Sequence, residues 1–510
     1  MTNKQVALGI TDDMARSINA PLFEYGSVNG VKITANRALL FDSSLEITAD
    51  VIQDFINIHR DKIRPKLLES QLMYLGYYHS ILTRDQTSTR ALDLPDNRVT
   101  VNFASYIVNS YNGYFTGIAP KIRVTDPDTD TVLQTFLKRS DMADNFAELS
   151  KIMAIYGHGY LYFYQGEDAK TYATYADPLN IFEIKSDDIA QTPLAHVVYS
   201  SKRGADKIDY ITADVYVGAD KFSYSEKDGT PTLVSVPDSE YTPYPFSPII
   251  EFVENDERRS VFEPVKNLIN TFNQALSDKV NDIEYFADAY LSVTGAKVDG
   301  KTVDNLNKNR IINAYGEASA NVRVGFLERP DGDATQEHLL DRLQELIFFT
   351  AMTANVTDEE YGNASGTALE FKLLDMSNLA IAKERKFISG LKRAFRLWFN
   401  IADQVKSSHV DDWEDITYNF TRNRPRNIKE EVENAVSLEG VVSKETQLAQ
   451  LSFIDDPKAE IEKMAQEEQD LMDQRVGTLG NFESHSPDTP DTHDIPDTSR
   501  LDTDTPDEEA

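Results

Sequence analysis

A glycine-rich stretch, Gly362-Asn-Ala-Ser-Gly366-Thr367, has residue types that could surround a phosphate group. The Walker A pattern G-x-x-x-x-G-K-[ST] cradles phosphate with backbone N–H groups and adds a lysine. Here the lysine is missing, the spacing between the two glycines is too short, and the stretch follows a predicted helix instead of a strand. The residues therefore favour a mobile loop between helices over a nucleotide site.

Patterns that bind metal ions are also incomplete. Asp126, Asp128 and Asp130 alternate as in a calcium loop, but the sixth position is threonine instead of glycine and the twelfth is leucine instead of glutamate. A capped turn is the better interpretation. His338 follows a glutamate without a second histidine four residues on, and His158, between two glycines, is expected in a turn.

Composition narrows the possible functions. The 510 residues carry a formal net charge of -33, which argues against tight phosphate binding because Lys and Arg supply most non-specific DNA affinity. No cysteine is present, so thiol nucleophiles, disulfides and Cys-ligated zinc are excluded. With 84 acidic residues, a chance pair of carboxylates says little about acid–base catalysis. Neither a signal sequence nor an apolar run of membrane-spanning length is found, so we expect a soluble protein.

The elements that position these residues begin with an α+β half. Apolar spacing predicts two helices between Ile47 and His79, broken near Pro65, and another helix that ends near Gly117. A further helix runs into a strand at 157–159. Alternating β-branched and aromatic residues then predict antiparallel strands up to residue 237.

The second half is dominated by long helices. One is predicted to start with Ser260 as its N-cap and Pro264 in its first turn, and a second to start at a Thr335 cap. They bracket a turn-rich segment with a basic cluster: Lys297, Lys301, Lys308, Arg310 and Arg323. A third is predicted from Ser365 to about Lys406, with Ser377-Asn378 or Gly390 as the place for a kink.

The remaining residues form shorter elements. A strand is predicted near 416–420, followed by two or three short charged helices up to about Arg475. The end repeats a Pro-Asp-Thr unit with almost no apolar residues and is expected to be disordered.

Four stretches together resemble a known family. They are NRVTVNFASYIVNSYNGYFTG (97–117), PIIEFVENDERRSVFEPVKNLINTFNQALSDKVNDIEYFADAYLSVTG (248–295), the helix around LIFFTAMTANV, and SGTALEFKLLDMSNLAIAKERKF (365–387). In order and spacing they resemble the portal proteins of tailed bacteriophages, and most closely the portal family of the siphophage SPP1. The resemblance covers most of the chain between Ile47 and about Asn427.

The resemblance implies a closed ring of about 12 subunits in the virion, or about 12 to 13 when isolated. Carried onto this chain, the portal fold has an α+β wing at 1–255, stem helices at 256–290 and 335–357, and a small α/β clip at 291–334. A tunnel loop is implied at 358–367, a long kinked helix with a returning wing strand at 368–426, a helical crown at 427–475 and a disordered acidic tail at 476–510.

The resemblance also implies functional residues. We expect the tunnel loop to face DNA with Tyr361, Gly362, Asn363, Ala364, Ser365, Gly366 and Thr367, while Asp358, Glu359 and Glu360 at its base repel the phosphate backbone. The clip lysines and arginines named above would bind partner proteins.

The implied role is non-enzymatic and needs no cofactor or metal. Double-stranded DNA would pass through the ring without sequence specificity. The implied protein partners are the terminase large subunit, a head-completion or adaptor protein, and capsid and scaffolding proteins, with no membrane. The ring would be assembled in the cytoplasm of the bacterial host and reside at one capsid vertex of the virion.

Two other functions fit the residues alone. A soluble carboxylate-dependent hydrolase with an elongated helical domain would need converging acidic or histidine side chains in a pocket. A cellular scaffold such as a prophage remnant would share the ring but have no DNA role.

Overall fold

Helices and strands are mixed along the chain, which confirms the predicted α+β class. The computed structural model describes residues 25–26, 30–34, 36–77, 79–83, 95–203, 209–227, 229–236, 244–287, 291–294, 323–326, 333–355, 370–401, 404–424, 428–451, 453–454 and 457–480. The chain divides into two compact units, Met1–Arg424 and Pro425–Ala510. None of the helices within the described ranges is both long and apolar enough to cross a bilayer.

The strands build two larger sheets and two small ones. They are β1 Tyr25–Gly26, β2 Lys32–Ile33, β3 Leu39–Phe41, β4 Lys121–Arg123, β5 His158–Gln165, β6 Thr171–Ala176, β7 Ile181–Ser186, β8 Pro193–Arg203, β9 Asp209–Val217, β10 Asp220–Lys227, β11 Thr230–Ser235, β12 Ile249–Val253, β13 Leu291–Thr294, β14 Arg323–Phe326 and β15 Thr417–Asn419.

The sheet orders are β1-β2-β3-β7-β8-β9-β10-β11, β12-β5-β6, β13-β14 and β15-β4. Every described neighbour pair is antiparallel except β3 and β7, which run parallel with Leu39 opposite Ile184. The antiparallel strands predicted up to residue 237 are confirmed.

The helices are α1 Ala49–Ile58, α2 Arg64–Tyr74, α3 Phe103–Thr116, α4 Pro127–Arg139, α5 Met142–Tyr156, α6 Lys266–Ala287, α7 Asp333–Ala351, α8 Leu374–Phe399, α9 Ile428–Ser437, α10 Lys444–Leu448 and α11 Pro457–Gly480. Helices α3 and α5 end where the sequence predicts. The predicted break near Pro65 is a π-helical turn, His59–Ile63, that joins α1 directly to α2. Because Pro65 has no N–H, the regular helical hydrogen-bond pattern cannot continue past it unchanged. The wider π-helical turn accommodates the proline, and the helix continues without interruption.

The predicted capped turn at Asp126 is wrong, because the same residues start helix α4. Asp126 is the N-cap, its Oδ2 accepts a hydrogen bond from the Thr129 N–H at 2.8 Å, and Pro127 occupies the first turn. Asp128 and Asp130 lie in the first turn of α4, where carboxylates stabilise the positive end of the helix dipole. The turn prediction for His158 is also wrong, since this buried residue starts strand β5.

Two predicted helix caps are wrong as well. Helix α6 begins at Lys266 after a 3-10 turn, Glu263–Val265, and the buried Oγ of Ser260 has no hydrogen-bond partner within the described ranges. Pro264 lies in that 3-10 turn. Thr335 lies inside α7, which is already helical at Asp333. Helix α6 thus begins after Ser260, whereas α7 begins before Thr335.

Helix α8 is the longest of the described helices and crosses the core of the first unit. It is uninterrupted at Ser377-Asn378 and at Gly390, and it ends at Phe399 instead of near Lys406. Gly390 serves packing, since a Cβ there would lie 2.5 Å from ring atoms of Phe252 on β12. The fully buried Trp398 of α8 stacks on Phe136 of α4 with ring centroids 4.8 Å apart.

The second unit contains the three charged helices α9, α10 and α11, as the sequence predicts. Ala435 and Leu448 are buried, and the Gln447 side-chain amide donates to the Ala435 carbonyl at 2.8 Å. Ser443 is the N-cap of the short helix α10. Residues 481–510 of the predicted acidic tail lie outside the described residues.

Candidate functional site

Helices α6 and α7, joined through the β13–β14 pair, form a helical hairpin. Phe103 of α3 contacts Phe272 of α6 and Phe348 of α7, with ring centroids at 5.0 Å and 5.8 Å. Farther along, Lys279 of α6 forms an ion pair with Glu337 of α7. Residue numbers therefore rise along one helix as they fall along the other, and the helices are antiparallel.

An extended segment, residues 97–101, runs along α6 and binds one stripe of its side chains. The Oδ1 of Asn273, the Oγ of Ser277 and the Oδ1 of Asn281 accept from backbone N–H groups at 2.8, 2.9 and 2.6 Å. The three donors are the N–H groups of Val101, Val99 and Asn97.

The spacing of this stripe has a geometric reason. Four residues of helix rise about 6 Å, close to the ~6.6 Å of two extended residues, so every fourth side chain meets every second amide. The N–H groups of this segment are thereby paired, and the position of α6 against the residues that lead into α3 is fixed. Sequence reasoning missed this stripe, although an Asn-x-x-x-Ser-x-x-x-Asn spacing was visible in the sequence.

The exposed face of the helical hairpin is acidic. Among the described side chains, the exposed charged residues of α6 and α7 are Asp278, Glu284, Glu337, Asp341, Glu345 and the single cation Arg342. Arg342 pairs with Glu345 at 2.6 Å, and the Lys279 ammonium is largely buried. A polyanion beside this face meets net negative charge.

A cleft of about 490 Å³ lies between the end of α7 and the start of α8. Its charged lining residues are Asp341, Glu345, Asp375 and Lys372. Phe349 also lines the cleft and is 74% exposed. Phe371, which lies shortly before the start of α8, is 73% exposed. Residues 355 and 370 are the last and first described residues on either side of the predicted tunnel loop, and Asn355 and Lys372 line this cleft.

The site residues predicted from the sequence are almost all outside the described residues. This holds for Tyr361, Gly362, Asn363, Ala364, Ser365, Gly366 and Thr367, for Asp358, Glu359 and Glu360, and for Lys297, Lys301, Lys308 and Arg310. Arg323 is described as part of strand β14, where its backbone pairs with Thr294. The roles of all these residues stay predictions.

One group of side chains has the composition of a metal site. Ligand atoms of Asp126, His409 and Asp412 lie within 4.8 Å of one another. Each already has a protein contact: Asp126 accepts from the Thr129 N–H at 2.8 Å, and Nδ1 of His409 lies 2.7 Å from Oδ2 of Asp412. These contacts account for the arrangement without an ion, since they cap α4 and join it to the 3-10 turns after α8.

Comparison with known proteins agrees with this architecture. The family model described as "Phage portal protein, SPP1 Gp6-like" matches residues 53–474. The portal protein of Bacillus phage SPP1 is 30% identical over 247 residues, which cover 46% of each chain. The portal protein of Clostridium phage phiCD119 is 23% identical over 237 residues, 45% of this chain and 50% of that protein.

These two alignments span about half the length of the curated relatives. The family match is longer and includes all of α3, the helical hairpin and α8, the elements that carry the resemblance seen in the sequence. Since that match covers most of the sequence, the chain belongs to the SPP1 Gp6-like family of phage portal proteins.

Proposed function

We propose that the protein assembles into a ring at one capsid vertex and that double-stranded DNA passes through its central channel during packaging and ejection. Membership of the portal family supports this role, and that family is one of structural virion proteins. The observation that carries the proposal is the helical hairpin, whose α6 and α7 extend from the core of the first unit to the small β13–β14 pair. Inclined helices of this kind can line the hole of a ring.

The negative charge of the helical hairpin supports a channel that does not bind DNA tightly. DNA carries a phosphate charge about every 1.7 Å, so a basic channel would bind it tightly. The exposed charged positions of α6 and α7 are acidic with one exception among the described side chains. We infer that DNA slides past this surface with little friction, while the neutral residues 361–367 of the tunnel loop make weak, transient contacts.

Exposed aromatic rings at the cleft support contact between subunits. Phe349 and Phe371 are about three quarters exposed, although large apolar side chains at a free surface are unfavourable. A ring is closed by heterologous contacts, in which one face of a subunit meets a different face of its neighbour. Burial of these rings at such a contact would stabilise the ring next to the tunnel loop.

The proposed partners follow from the position of the clip. The β13–β14 pair lies in the sequence between the end of α6 and the start of α7. Most of the basic cluster falls between its two strands in the sequence, and Arg323 is the first residue of β14. We infer that this segment binds the terminase large subunit during packaging and a head-completion protein afterwards. Capsid and scaffolding proteins would contact the remaining outer surface.

Imaging of the purified full chain tests the ring. Mass photometry and negative-stain microscopy should show closed particles of about 12 to 13 subunits with a central hole. Particles that remain monomeric at every protein and salt concentration would contradict the proposal. A monomer with hydrolase activity would favour the alternative function considered from the sequence.

A further inference from the structure

A cavity of about 290 Å³ lies at the junction of strands β7 and β8, the segment before β12 and helix α8. The polar side chains that line it include Glu183 of β7, His196 of β8, and Arg393 and Arg396 of α8, with Phe246 contributing an apolar wall. This volume is at the lower end of the range for ligand pockets, so it suits one small group better than a nucleotide. Nothing in the sequence pattern brings these residues together.

Arg396 is held in place without an acidic partner. Its guanidinium carbon lies 5.7 Å from the ring centroid of Phe246 and 6.0 Å from that of Trp413. The described residues contain no carboxylate within ion-pair distance of it. Aromatic faces therefore orient the guanidinium, while its N–H donors stay available to a ligand.

Arg393 has donor capacity left as well. One terminal nitrogen donates to the Glu251 carbonyl, and the other lies 4.0 Å from Oε1 of Glu183. Its Nε is buried and has no hydrogen-bond partner in the part of the chain that the structure describes. A buried N–H without a partner is unfavourable, and a small movement of this side chain towards an acceptor in the cavity would remove that cost.

The lining also includes a buried histidine with an unsatisfied ring nitrogen. His196 is 3% exposed, and its Nδ1 has no hydrogen-bond partner within the described ranges. Its Nε2 lies 3.2 Å from Oε1 of Glu183. That nitrogen and both carboxylate oxygens of Glu183 likewise form no hydrogen bond with the described residues, so the fold buries several polar atoms beside the cavity without completing their hydrogen bonds.

The charges around the cavity are unbalanced. Glu183 and Glu251 are matched by Lys185, whose Nζ lies 2.9 Å and 2.8 Å from them. Glu251 also receives a two-pronged contact from Arg258, at 2.9 Å and 2.8 Å. Two acidic groups thus already have two cationic partners before Arg393 and Arg396 are counted. The surplus is positive and lies at the solvent-accessible side of the cavity, since Arg396 is exposed and the Arg393 side chain is 37% exposed, and guanidinium groups there can form charge-assisted hydrogen bonds with an oxyanion.

We propose that this cavity is an oxyanion pocket that binds one carboxylate or phosphate group, with Arg393 and Arg396 as its donors. Guanidinium groups match the geometry of both oxyanions, and the rings of Phe246 and Trp413 orient the guanidinium of Arg396. The oxyanion has two possible sources: a free phosphate, or an Asp or Glu side chain of a second copy of this chain. The second source rests on the proposed ring.

The test uses the full chain and titrates it with inorganic phosphate and with acetate, replacing chloride at constant ionic strength. Monomer and ring fractions are separated and followed by calorimetry and thermal shift. We expect saturable binding in the wild type and about tenfold or greater weakening in Arg396→Gln, because a hydrogen bond to a charged group is lost. Lys392→Gln is the matched control: it removes an exposed cation of the same helix that does not line the cavity, and should bind as the wild type does.

The ring fraction identifies the source. If a carboxylate of the neighbouring copy fills the pocket, the monomer binds phosphate, the ring does not, and Arg396→Gln lowers the yield of rings. If a free anion fills it, monomer and ring bind phosphate alike, and Arg396→Gln assembles normally.

The pocket assignment is overturned if no fraction of the wild type binds either anion saturably and Arg396→Gln assembles as the wild type does. Equal binding by Arg396→Gln and Lys392→Gln would overturn it too. A wild type that never forms rings would count against the proposed function alone, because the titration of the monomer still tests the pocket.

Discussion

Lys383 of α8 and Glu254, just after β12, form an ion pair in the core, with Nζ and Oε2 2.7 Å apart and side chains 1% and 2% exposed. The ammonium also donates to the Ser150 carbonyl at 2.9 Å and lies 4.9 Å from the ring centroid of Tyr111. Burial lowers the pKa of Lys383, and the carboxylate of Glu254 opposes that effect. This pair joins the helix that follows the predicted tunnel loop to the three-stranded sheet.

Lys383→Met should strongly destabilise the protein, by about 3–5 kcal/mol in the free energy of unfolding, because Glu254 is left buried without its partner. Adding Glu254→Gln should restore much of that loss. The control is Lys386→Met, which removes an exposed pair with Asp256 at 2.6 Å and should cost about 1 kcal/mol or less. Urea denaturation measures all four proteins, and equal losses for Lys383→Met and Lys386→Met would contradict the assigned role.

Two buried histidines predict a loss of stability in mild acid. Burial lowers the pKa of His59 and of His158 to about 3, from 6.5 in the unfolded chain. Between these values only the unfolded state takes up the proton, so the free energy of unfolding falls as pH falls below 6.5. Each histidine contributes about 1.4 kcal/mol per pH unit within that window.

His59→Phe isolates one of these contributions. The ring of His59 stacks on Phe182 with centroids 5.0 Å apart, and its Nδ1 lies 2.9 Å from the Tyr199 hydroxyl. Urea denaturation at about pH 7 and about pH 5.5 should show a smaller pH dependence in the variant than in the wild type, by roughly 1.3 kcal/mol, or an average of about 0.6 proton over this interval. An unchanged slope would mean that His59 is already protonated in the folded protein at the lower pH.

Gly390→Ala should destabilise α8 even though alanine is the better helix former. Its Cβ would lie 2.5 Å from ring atoms of Phe252, and overpacking of this kind costs about 1–3 kcal/mol. Gly113→Ala on α3 is the matched control, since no atom lies within 4 Å of the added Cβ, and it should be neutral or stabilising by up to about 1 kcal/mol. Thermal unfolding midpoints that move the same way in both variants would argue against the contact.

Asn273→Ala should weaken the attachment of helix α6 to the extended segment 97–101. The change removes the acceptor of the part-buried Val101 N–H and the contact between the Asn273 amide and Nδ1 of His79, at a cost of about 0.5–1.5 kcal/mol for each bond, and speeds hydrogen exchange of the Val101 amide. Thr271→Ala on the exposed side of the same helix removes only a bond to the Asn267 carbonyl and should leave the Val101 amide protected. Fast exchange of this amide in the wild type would show that the stripe does not hold in solution.

Deletion of 362–365 tests the predicted tunnel loop. We expect rings to form normally, because the residues that hold α7 and α8 in the core are untouched, while DNA packaging or retention falls. Particle imaging measures the first outcome and the DNA content of phage heads the second. Wild-type packaging and retention would remove the assignment of this loop to the channel.

Strong local patterns allowed much of the fold to be predicted. Continuous apolar spacing located α3 and α5, and alternation located the strands from β7 to β11. Asp126 was misassigned because aspartate and proline favour turns and helix starts alike, and only the apolar face of Leu133 and Phe136 separates the two. Ser260 fails as a cap because its hydroxyl is buried by tertiary contacts.

The functional features were harder to predict, for a different physical reason. Glu183 and Arg393 meet although about half the length of the first unit separates them in the sequence, and Lys383 meets Glu254 through packing that no local spacing encodes. Family resemblance supplied the proposed role of the chain and the predicted tunnel loop, whereas the proposed oxyanion pocket became visible only when the side chains were placed together.

The parallel pairing of β3 with β7 has a consequence for synthesis and folding. The hydrogen-bonding edge of β3 that faces Ile184 stays open until the ribosome has made α1 to α5, β5 and β6. Closing so long a loop is slow, and an open strand edge can pair with another nascent chain in the meantime. Strands β1 to β3 are therefore made early and docked late, and their docking is the step at which nascent chains most need protection from one another.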